Sequence, residues 1–268
     1  DGTTYIGSAD NVFYAIRPDG RVRWKLRTGE IIDSAGLLDA AGNVYVPSAD
    51  GRLYKRRAAT GAKVWTFTAE PASVTGGLIS WFEGNVGMTG DGTIIAPNDN
   101  FRTYALDPAT GAIRWRFATP DQTWALPAVD GDRLFAANNF FFGGTKNTFA
   151  LDAGPGATQW SAHADGAVVA SPLVTPDHRV IVGAFDGFLR SYDETTGALQ
   201  WTFGTRDHIY ASAARQPDGT IVVASADGSV YGIDPATGRR RWQYDTPDPI
   251  RSSPAVDTKG RIYVGTGD

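Results

Sequence analysis

Apolar residues in this chain come in short bursts, four or five at a time, separated by Gly, Pro, Asp and Asn. Runs of that length bounded by turn residues mark β-strands, and no segment sustains the 3.6-residue period of a helix. One stretch near the C-terminus displays a complete unit. Residues 209–214 predict a small-residue inner strand, A, and residues 220–224 an apolar strand B. Residues 229–234 predict strand C, and residues 239–244 a strand D that carries Trp242. Asp227-Gly228 joins B to C, and such a dipeptide supplies the positive φ that tight hairpins need. Thr237-Gly238 joins C to D.

The unit recurs. Six of the eight tryptophans fall at 24, 65, 115, 160, 201 and 242, with steps of 41, 50, 45, 41 and 41 residues. Trp81 and Trp124 stand outside the series. A period of 40 to 50 residues belongs to four-stranded propeller blades. The context repeats as well: Ala105-Leu-Asp-Pro-Ala-Thr-Gly-Ala-Ile-Arg-Trp matches Gly232-Ile-Asp-Pro-Ala-Thr-Gly-Arg-Arg-Arg-Trp, and residues 191–201 follow the same pattern. Residues 150–160 keep the Asp and Gly but hold Pro155 where Thr stands elsewhere. The copy at 56–65 is one residue shorter, and the first copy, 15–24, turns on Asp19-Gly20. The turn series Asp186, Asp227, Asp268 keeps the 41-residue step.

A single blade cannot bury both faces of its sheet, so neighbours must stack on it, and radial repetition leaves only short sheet edges. The expected fold is therefore all-β: a β-propeller of four-stranded antiparallel blades forming one domain over 1–268. Each serial indole is expected to pack on the turn of the neighbouring blade, burying roughly 150–250 Å². Strand B occurs seven times and the Trp strand six times. The chain opens in a strand B (residues 3–6) and closes with strands A and B (residues 251–264). Seven blades with an incomplete terminal blade are expected, in an excerpt of a longer chain, with six or eight blades as alternatives.

The Ala-x-Asp-x-x-Thr-Gly-x-x-x-Trp element resembles the tryptophan-docking motif of the PQQ-like β-propeller repeat family, which includes quinoprotein alcohol dehydrogenases and BamB-like propellers. The resemblance runs over essentially the whole chain. It implies one of two functions: a non-enzymatic scaffold that binds a protein or small ligand, or a PQQ-dependent dehydrogenase domain with Ca²⁺ or an inactive relative of one. It also implies a periplasmic or extracellular location. Fold alone does not decide between such functions.

Composition narrows the choice. With Cys 0, disulfides, thiolate metal sites and a cysteine nucleophile are excluded, as is the adjacent-cysteine ring of many quinoprotein dehydrogenases. Three histidines leave little for a metal cluster, and none is expected. A formal charge of −4 lacks the basic footprint of a nucleic-acid binder. No apolar run approaches a membrane span. Oxygen ligands suit Ca²⁺, and Glu83-Gly84-Asn85 is the one local pair that invites that reading; its structural alternative is a loop entering an inner strand. No bound cofactor is expected.

Aligning the inner strands on Ser253-Pro254-Ala255-Val256 singles out one position per repeat: Asp33, Glu83, Trp124, Val169, Tyr210 and Arg251. It falls where strand A begins. A ring of Asp33, Glu83, Trp124, Tyr210 and Arg251 can line a pocket for a polar molecule or peptide, or can satisfy itself and plug the centre. Two insertions break the 41-residue step. Residues 70–82 end in Leu78-Ile79-Ser80-Trp81-Phe82, and residues 138–147 contain Phe140, Phe141 and Phe142 followed by Gly143-Gly144. Departures from a repeat tend to map to a binding face, so Trp81, Phe82, Phe140, Phe141 and Phe142 are candidates for docking a partner protein or an adjoining domain; alternatively they cap the core. His208 lies beside Asp207, but no serine accompanies it at a recognised spacing. His163 and His178 fall in turns, where they are expected to be solvated. Arg239-Arg240-Arg241 is expected on an exposed outer strand.

Overall fold

The computed structural model describes residues 1–142 and 144–267; Gly143 and Asp268, the last of the turn series, lie outside the described residues. The chain divides into two compact units, 1–124 and 125–268. All sheets are antiparallel and meander in chain order. The first unit holds a three-stranded sheet (Thr4–Ile6, Val12–Ile16, Val22–Arg27) and two four-stranded sheets (Leu37–Leu38, Asn43–Ser48, Arg52–Arg57, Lys63–Thr68, then Gly87–Met88, Ile94–Asn98, Arg102–Leu106, Ile113–Ala118). The second unit holds the fourth sheet (Ala128–Asp130, Arg133–Ala137, Thr148–Asp152, Thr158–Ala162) and the fifth (Leu173–Thr175, Arg179–Gly183, Phe188–Asp193, Leu199–Gly204). A sixth (Ala214–Arg215, Ile221–Ala224, Ser229–Ile233, Arg240–Asp245) and a two-stranded seventh (Ala255–Val256, Ile262–Tyr263) complete it. One short helix, Ala72–Thr75, lies in the first insertion.

Strands B and C form the dry middle of the second to sixth sheets. In Ile221–Ala224 and Ser229–Ile233 every residue is buried, whereas strand D of the same sheet is largely exposed. This follows from composition: B and C carry Val, Ile and Ala on both faces, so both faces must be covered by neighbouring sheets.

Strand A is shorter than its sequence predicts. In the sixth sheet it comprises Ala214–Arg215 rather than residues 209–214. The preceding residues are turned sideways, bonding the neighbouring sheet and the B–C turn of their own sheet instead of extending their own ladder. Ile209 N donates to Ala184 O at 3.2 Å in the fifth sheet, Ala226 N donates to His208 O at 2.9 Å, and Ser212 N donates to Ser253 Oγ at 2.9 Å. The same stitch recurs in the first unit, where Ile32 N donates to Ser8 O (3.3 Å) and Ala49 N donates to Ile31 O (3.0 Å). Each backbone amide is thereby satisfied outside a strand, as burial demands.

The serial tryptophans lock adjacent sheets at the other end. Trp24 Nε1 donates to Ala58 O (2.7 Å) and Trp65 Nε1 to Pro108 O (3.0 Å) in the first unit. Trp160 Nε1 donates to Glu194 O (2.9 Å) and Trp201 Nε1 to Pro235 O (2.8 Å) in the second. Each indole lies on the glycine of a neighbouring turn. A Cβ on Gly238, whose φ is +70°, would stand 2.8 Å from Trp201. The turn itself is wound by its aspartate: Asp234 Oδ1 accepts from Ala236 N, Thr237 N and Thr237 Oγ1, each at 3.0 Å. Trp65, Trp160 and Trp201 are buried, while Trp24, Trp115 and Trp242 are half-buried.

The aspartate of the B–C hairpin does a second job. Asp227 Oδ1 accepts Ser229 N (2.9 Å), and its Oδ2 accepts Tyr231 Oη (2.6 Å) and Arg206 N (2.9 Å). Asp50 repeats this with Arg52 N, Tyr54 Oη and Gly29 N. One carboxylate thus holds its own turn, a tyrosine four residues on, and the connection entering from the preceding sheet.

Truncating a docked indole leaves a void between two sheets. Trp201→Ala is expected to destabilise the protein by about 3–5 kcal/mol, as for other large buried truncations. Urea denaturation measures this, and a loss below about 1 kcal/mol would show that the ring does not cement the sheets.

Candidate functional site

The position at the start of strand A does not behave uniformly. In the first unit Asp33, exposed, and Glu83 and Trp124, half-buried, gather around Asp99, which is fully buried. Asp99 directly follows strand B of the third sheet, and its amide donates to Trp81 O at 3.0 Å. Among the described residues no hydrogen bond of ordinary geometry reaches its carboxyl oxygens. What they face is the Glu83 carboxyl and the Trp124 indole, both close enough to govern its protonation. Burial pushes the Asp99 carboxyl up to about 8, with the negative charges of Glu83 and Asp33 adding to the rise while the indole opposes it. Burial, and then the charge of Asp33, also raises Glu83. Three carboxyls and one indole thus converge at a place where at least one proton is retained at neutral pH.

The loop that carries Glu83 is tightly built. A Cβ on Gly84 would meet Pro97 Cγ at 2.9 Å and the carbonyl oxygens of Thr123 and Trp124 at 3.1 and 3.2 Å. Asn85 Oδ1 accepts Ala35 N at 2.6 Å, so Asn85 ties this loop to the second sheet and does not point its oxygen at Glu83's cluster. Of the pair that invites a Ca²⁺ reading, only Glu83 faces the cluster.

In the second unit Tyr210 and Arg251 meet, the guanidinium 5.4 Å from the ring centroid, within cation–π range. Phe185 packs on Tyr210 (4.4 Å) and stacks on His208 (5.0 Å). His208 Nδ1 also contacts Phe185 O. The histidine is therefore engaged with the phenylalanine rather than poised beside a nucleophile.

Sequence alignment of the inner strands alone missed Asp99, Phe185 and Asn139. They share one repeat position, the second residue past the core of strand B. The copies at 9, 49 and 226 hold alanine there. Reading that column would have exposed all three departures in consecutive sheets. Asn139 is fully buried, and among the described residues its amide has no hydrogen-bond partner.

The insertion aromatics divide. Phe82 is fully buried among Phe67, Tyr104 and Val86, which corrects its assignment as a docking residue: it fills the first unit's core. Phe140 is half-buried and packs edge-on to His163 at 5.1 Å. Trp81, Phe141 and Phe142 are exposed, as are Val74 and Leu78 of the first insertion. That insertion is pinned at several points: Ser80 Oγ donates to Glu70 O (3.0 Å), Asn98 Nδ2 to Ser80 O (3.3 Å) and Asn100 Nδ2 to Glu70 O (2.7 Å). Its exposed apolar side chains therefore stand on a backbone bonded to the residues on either side of Asp99.

Asp99 carries a signed pH dependence. Its unfolded value lies near 3.9, and its folded value is about 8. Between those values the folded chain keeps a proton that the unfolded chain has lost, so stability falls as pH rises through this window. Asp99→Asn is expected to remove that slope between pH 5 and 8.5. For a chain of this size each kcal/mol appears as about 2–4 °C in Tm. An identical slope in the variant would show that this carboxyl titrates like an exposed one.

Among the described residues no helix is long and apolar enough to cross a membrane. The chain is 28% identical to tetrathionate hydrolase of Acidithiobacillus ferrooxidans over 182 residues, covering 67% of this chain and 30% of that protein. It is 30% identical to quinohemoprotein alcohol dehydrogenase ADH-IIG of Pseudomonas putida over 188 residues, 61% of this chain and 24% of that enzyme. The chain thus spans less than a third of either curated relative. Among solved structures, BamB from Moraxella catarrhalis superposes with a TM-score of 0.62 at 17% identity, over 99% of this chain and 91% of that one. The WD40 β-propeller domain of Doa1 gives 0.67 at 16% identity over 99% and 86%. The computationally designed protein Ika8 gives 0.78 at 14% identity over 99% and 81%. These likenesses establish the fold as a β-propeller. The sequence profile described as outer membrane protein assembly factor BamB matches residues 1–116 and 99–268, and the chain belongs to that family of PQQ-like repeat propellers.

Proposed function

We propose that the chain is a non-enzymatic propeller scaffold that recognises a protein partner through its insertions, in the periplasm or outside the cell. The observation that carries this reading is the first insertion. It holds Val74, Leu78 and Trp81 exposed at 72%, 67% and 37% on a backbone bonded to the strand ends beneath it. Exposed apolar side chains on an immobilised segment favour association, because covering them removes apolar surface from water without a large ordering cost. The accessible carboxyls of Asp33 and Glu83 belong to the same unit, so a partner segment that combines an apolar side chain with a basic or hydrogen-bond-donating group suits it. Phe141 and Phe142 form a second exposed apolar pair, in the other unit.

The rival reading is a PQQ-dependent dehydrogenase domain with Ca²⁺. The residues present fit it poorly. Glu83, Asp99 and Asp33 offer hard oxygen donors of the kind Ca²⁺ takes. However, the Asn85 oxygen is committed to Ala35 N, which leaves the Glu83-Gly84-Asn85 segment one oxygen donor short. The binding reading needs none of these groups to change partners.

Replacing exposed rings is expected to spare the fold and remove the contact. Trp81→Ala combined with Phe141→Asp should leave Tm within a few degrees of wild type and abolish crosslinking of a partner to a photoreactive residue placed at position 78. Global unfolding of the double variant would show the rings to be core. Added PQQ and Ca²⁺ are expected to give neither stoichiometric quinone binding nor dye-linked alcohol oxidation, and turnover would overturn the scaffold reading.

A further inference from the structure

A second cluster lies far along the chain from the acid–indole site, in the second unit alone. The A–B turn of the second, third, sixth and seventh sheets places glycine in the left-handed region: Gly42, Gly92, Gly219 and Gly260, with φ between +76° and +89°. In each the glycine amide donates to the residue three before it. The fifth sheet makes the same turn, His178 N donating to Thr175 O at 3.0 Å, but a histidine occupies the glycine position at φ +57°. A β-carbon in that region costs conformational energy that glycine does not.

The docking turn of the same sheet departs from the repeat as well. The second residue of that turn is Ala58, Pro108, Ala153 or Pro235 in the other sheets and Glu194 here. Its backbone is fixed from two sides. Glu194 N donates to His178 O at 3.0 Å, and Trp160 Nε1 donates to Glu194 O at 2.9 Å. Its side chain is 4% exposed. One carboxylate oxygen accepts from Arg133 Nη1 at 3.3 Å; the other lies 2.9 Å from His178 Nδ1. Arg133 is itself held aside by Gln159 Oε1 at 3.1 Å and Thr195 Oγ1 at 3.1 Å. Asp130, at the end of strand A in the fourth sheet, completes the group. One ligand atom each from Asp130, His178 and Glu194 lies within 4.8 Å of the others.

The geometry points to a divalent transition-metal site, with Zn²⁺ as the cation best suited to Asp130, His178 and Glu194. One imidazole nitrogen with two carboxylate oxygens is a borderline donor set that Zn²⁺ accepts and Ca²⁺ does not favour. Ligands at about 2.0–2.2 Å from a tetrahedral ion stand roughly 3.3–3.5 Å apart, so a small widening of the His178–Glu194 gap admits the metal. The buried Glu194 oxygen provides a preorganised ligand, with Arg133 as its outer partner. The His178 side chain is 77% exposed and Asp130 faces solvent, which leaves the remaining coordination position to water. Two independent departures from the repeat, His for Gly and Glu for Ala or Pro, meet at this one point. This assignment stands apart from the partner-binding reading and from its residues.

Calorimetric titration of tag-free protein with ZnCl₂ at neutral pH tests it. One site per chain with micromolar affinity is expected, together with a rise in Tm on adding the metal. His178→Gly restores the residue that the other turns use and should fold normally, yet weaken binding at least about tenfold; Glu194→Gln should do the same. Should Glu194→Gln fail to fold, the exposed Asp130→Asn carries the second arm with the same expectation. His163→Ala, which removes a histidine outside this group that meets Asp165 (2.9 Å) and the Phe140 ring, should leave the affinity unchanged. Absence of binding by the wild type, or wild-type affinity in His178→Gly, overturns the assignment.

Discussion

The contact on which the rest depends is the indole of strand D lying against a left-handed glycine of the next sheet. Each four-stranded sheet has two apolar faces in strands B and C, and none can cover both by itself. The indole closes the gap at one end, donating to a carbonyl such as Pro108 O or Pro235 O while its ring replaces the volume that a Cβ would take. Sideways backbone bonds from the segment before strand A close the other end. Between these two fastenings the buried positions of strands B and C take small Val, Ile and Ala as well as large Tyr45, Tyr104 and Phe135. That explains why the copies differ so freely there while the Asp, Thr, Gly and Trp of the docking turn recur.

A scaffold fastened in this way leaves positions that the fastening does not use. The alanine column after strand B is one. Replacing that alanine by Asp99 places a carboxyl against Glu83 and Trp124, in a setting where burial outweighs the ordinary tendency to ionise. Replacing it by Phe185 builds an aromatic stack with His208 and Tyr210. The A–B turn glycine and the second residue of the docking turn are two more, and in the fifth sheet they become His178 and Glu194. Chemistry enters where the repeat tolerates a larger or charged side chain without losing its glycine–indole contacts.

The two insertions obey the same logic. Residues 70–82 lengthen a connection, and the extra chain is bonded down by Asn98, Asn100 and Ser80 rather than left as a loose loop. Its aromatic residues are sorted by that anchoring. Phe82 falls beneath the connection and joins the core, while Trp81, one residue earlier, falls above it. A single anchored segment thus yields one core residue and one surface residue.

The repeat, the strand order and the docking turns were legible in the sequence, because the recurring indoles and the Asp-x-x-Thr-Gly turn are local signals that the copies restate in whole or in part. The acidic and aromatic residues at the start of strand A were legible as a column too. The linear pattern could not show which columns converge. Asp99 is sixteen residues beyond Glu83 and reads as part of a B–C turn, yet burial beside Glu83 raises its carboxyl to about 8. Phe82 and Trp81 are equally apolar in sequence and part only when the connection is pinned. His178, Glu194 and Asp130 sit in three different turns or strand ends of two sheets, and their meeting depends on the stacking of those sheets. Local periodicity determined the elements. Burial and proximity, which set the energies of charges and exposed rings, are properties of how the elements stack, and only the tertiary structure decided them.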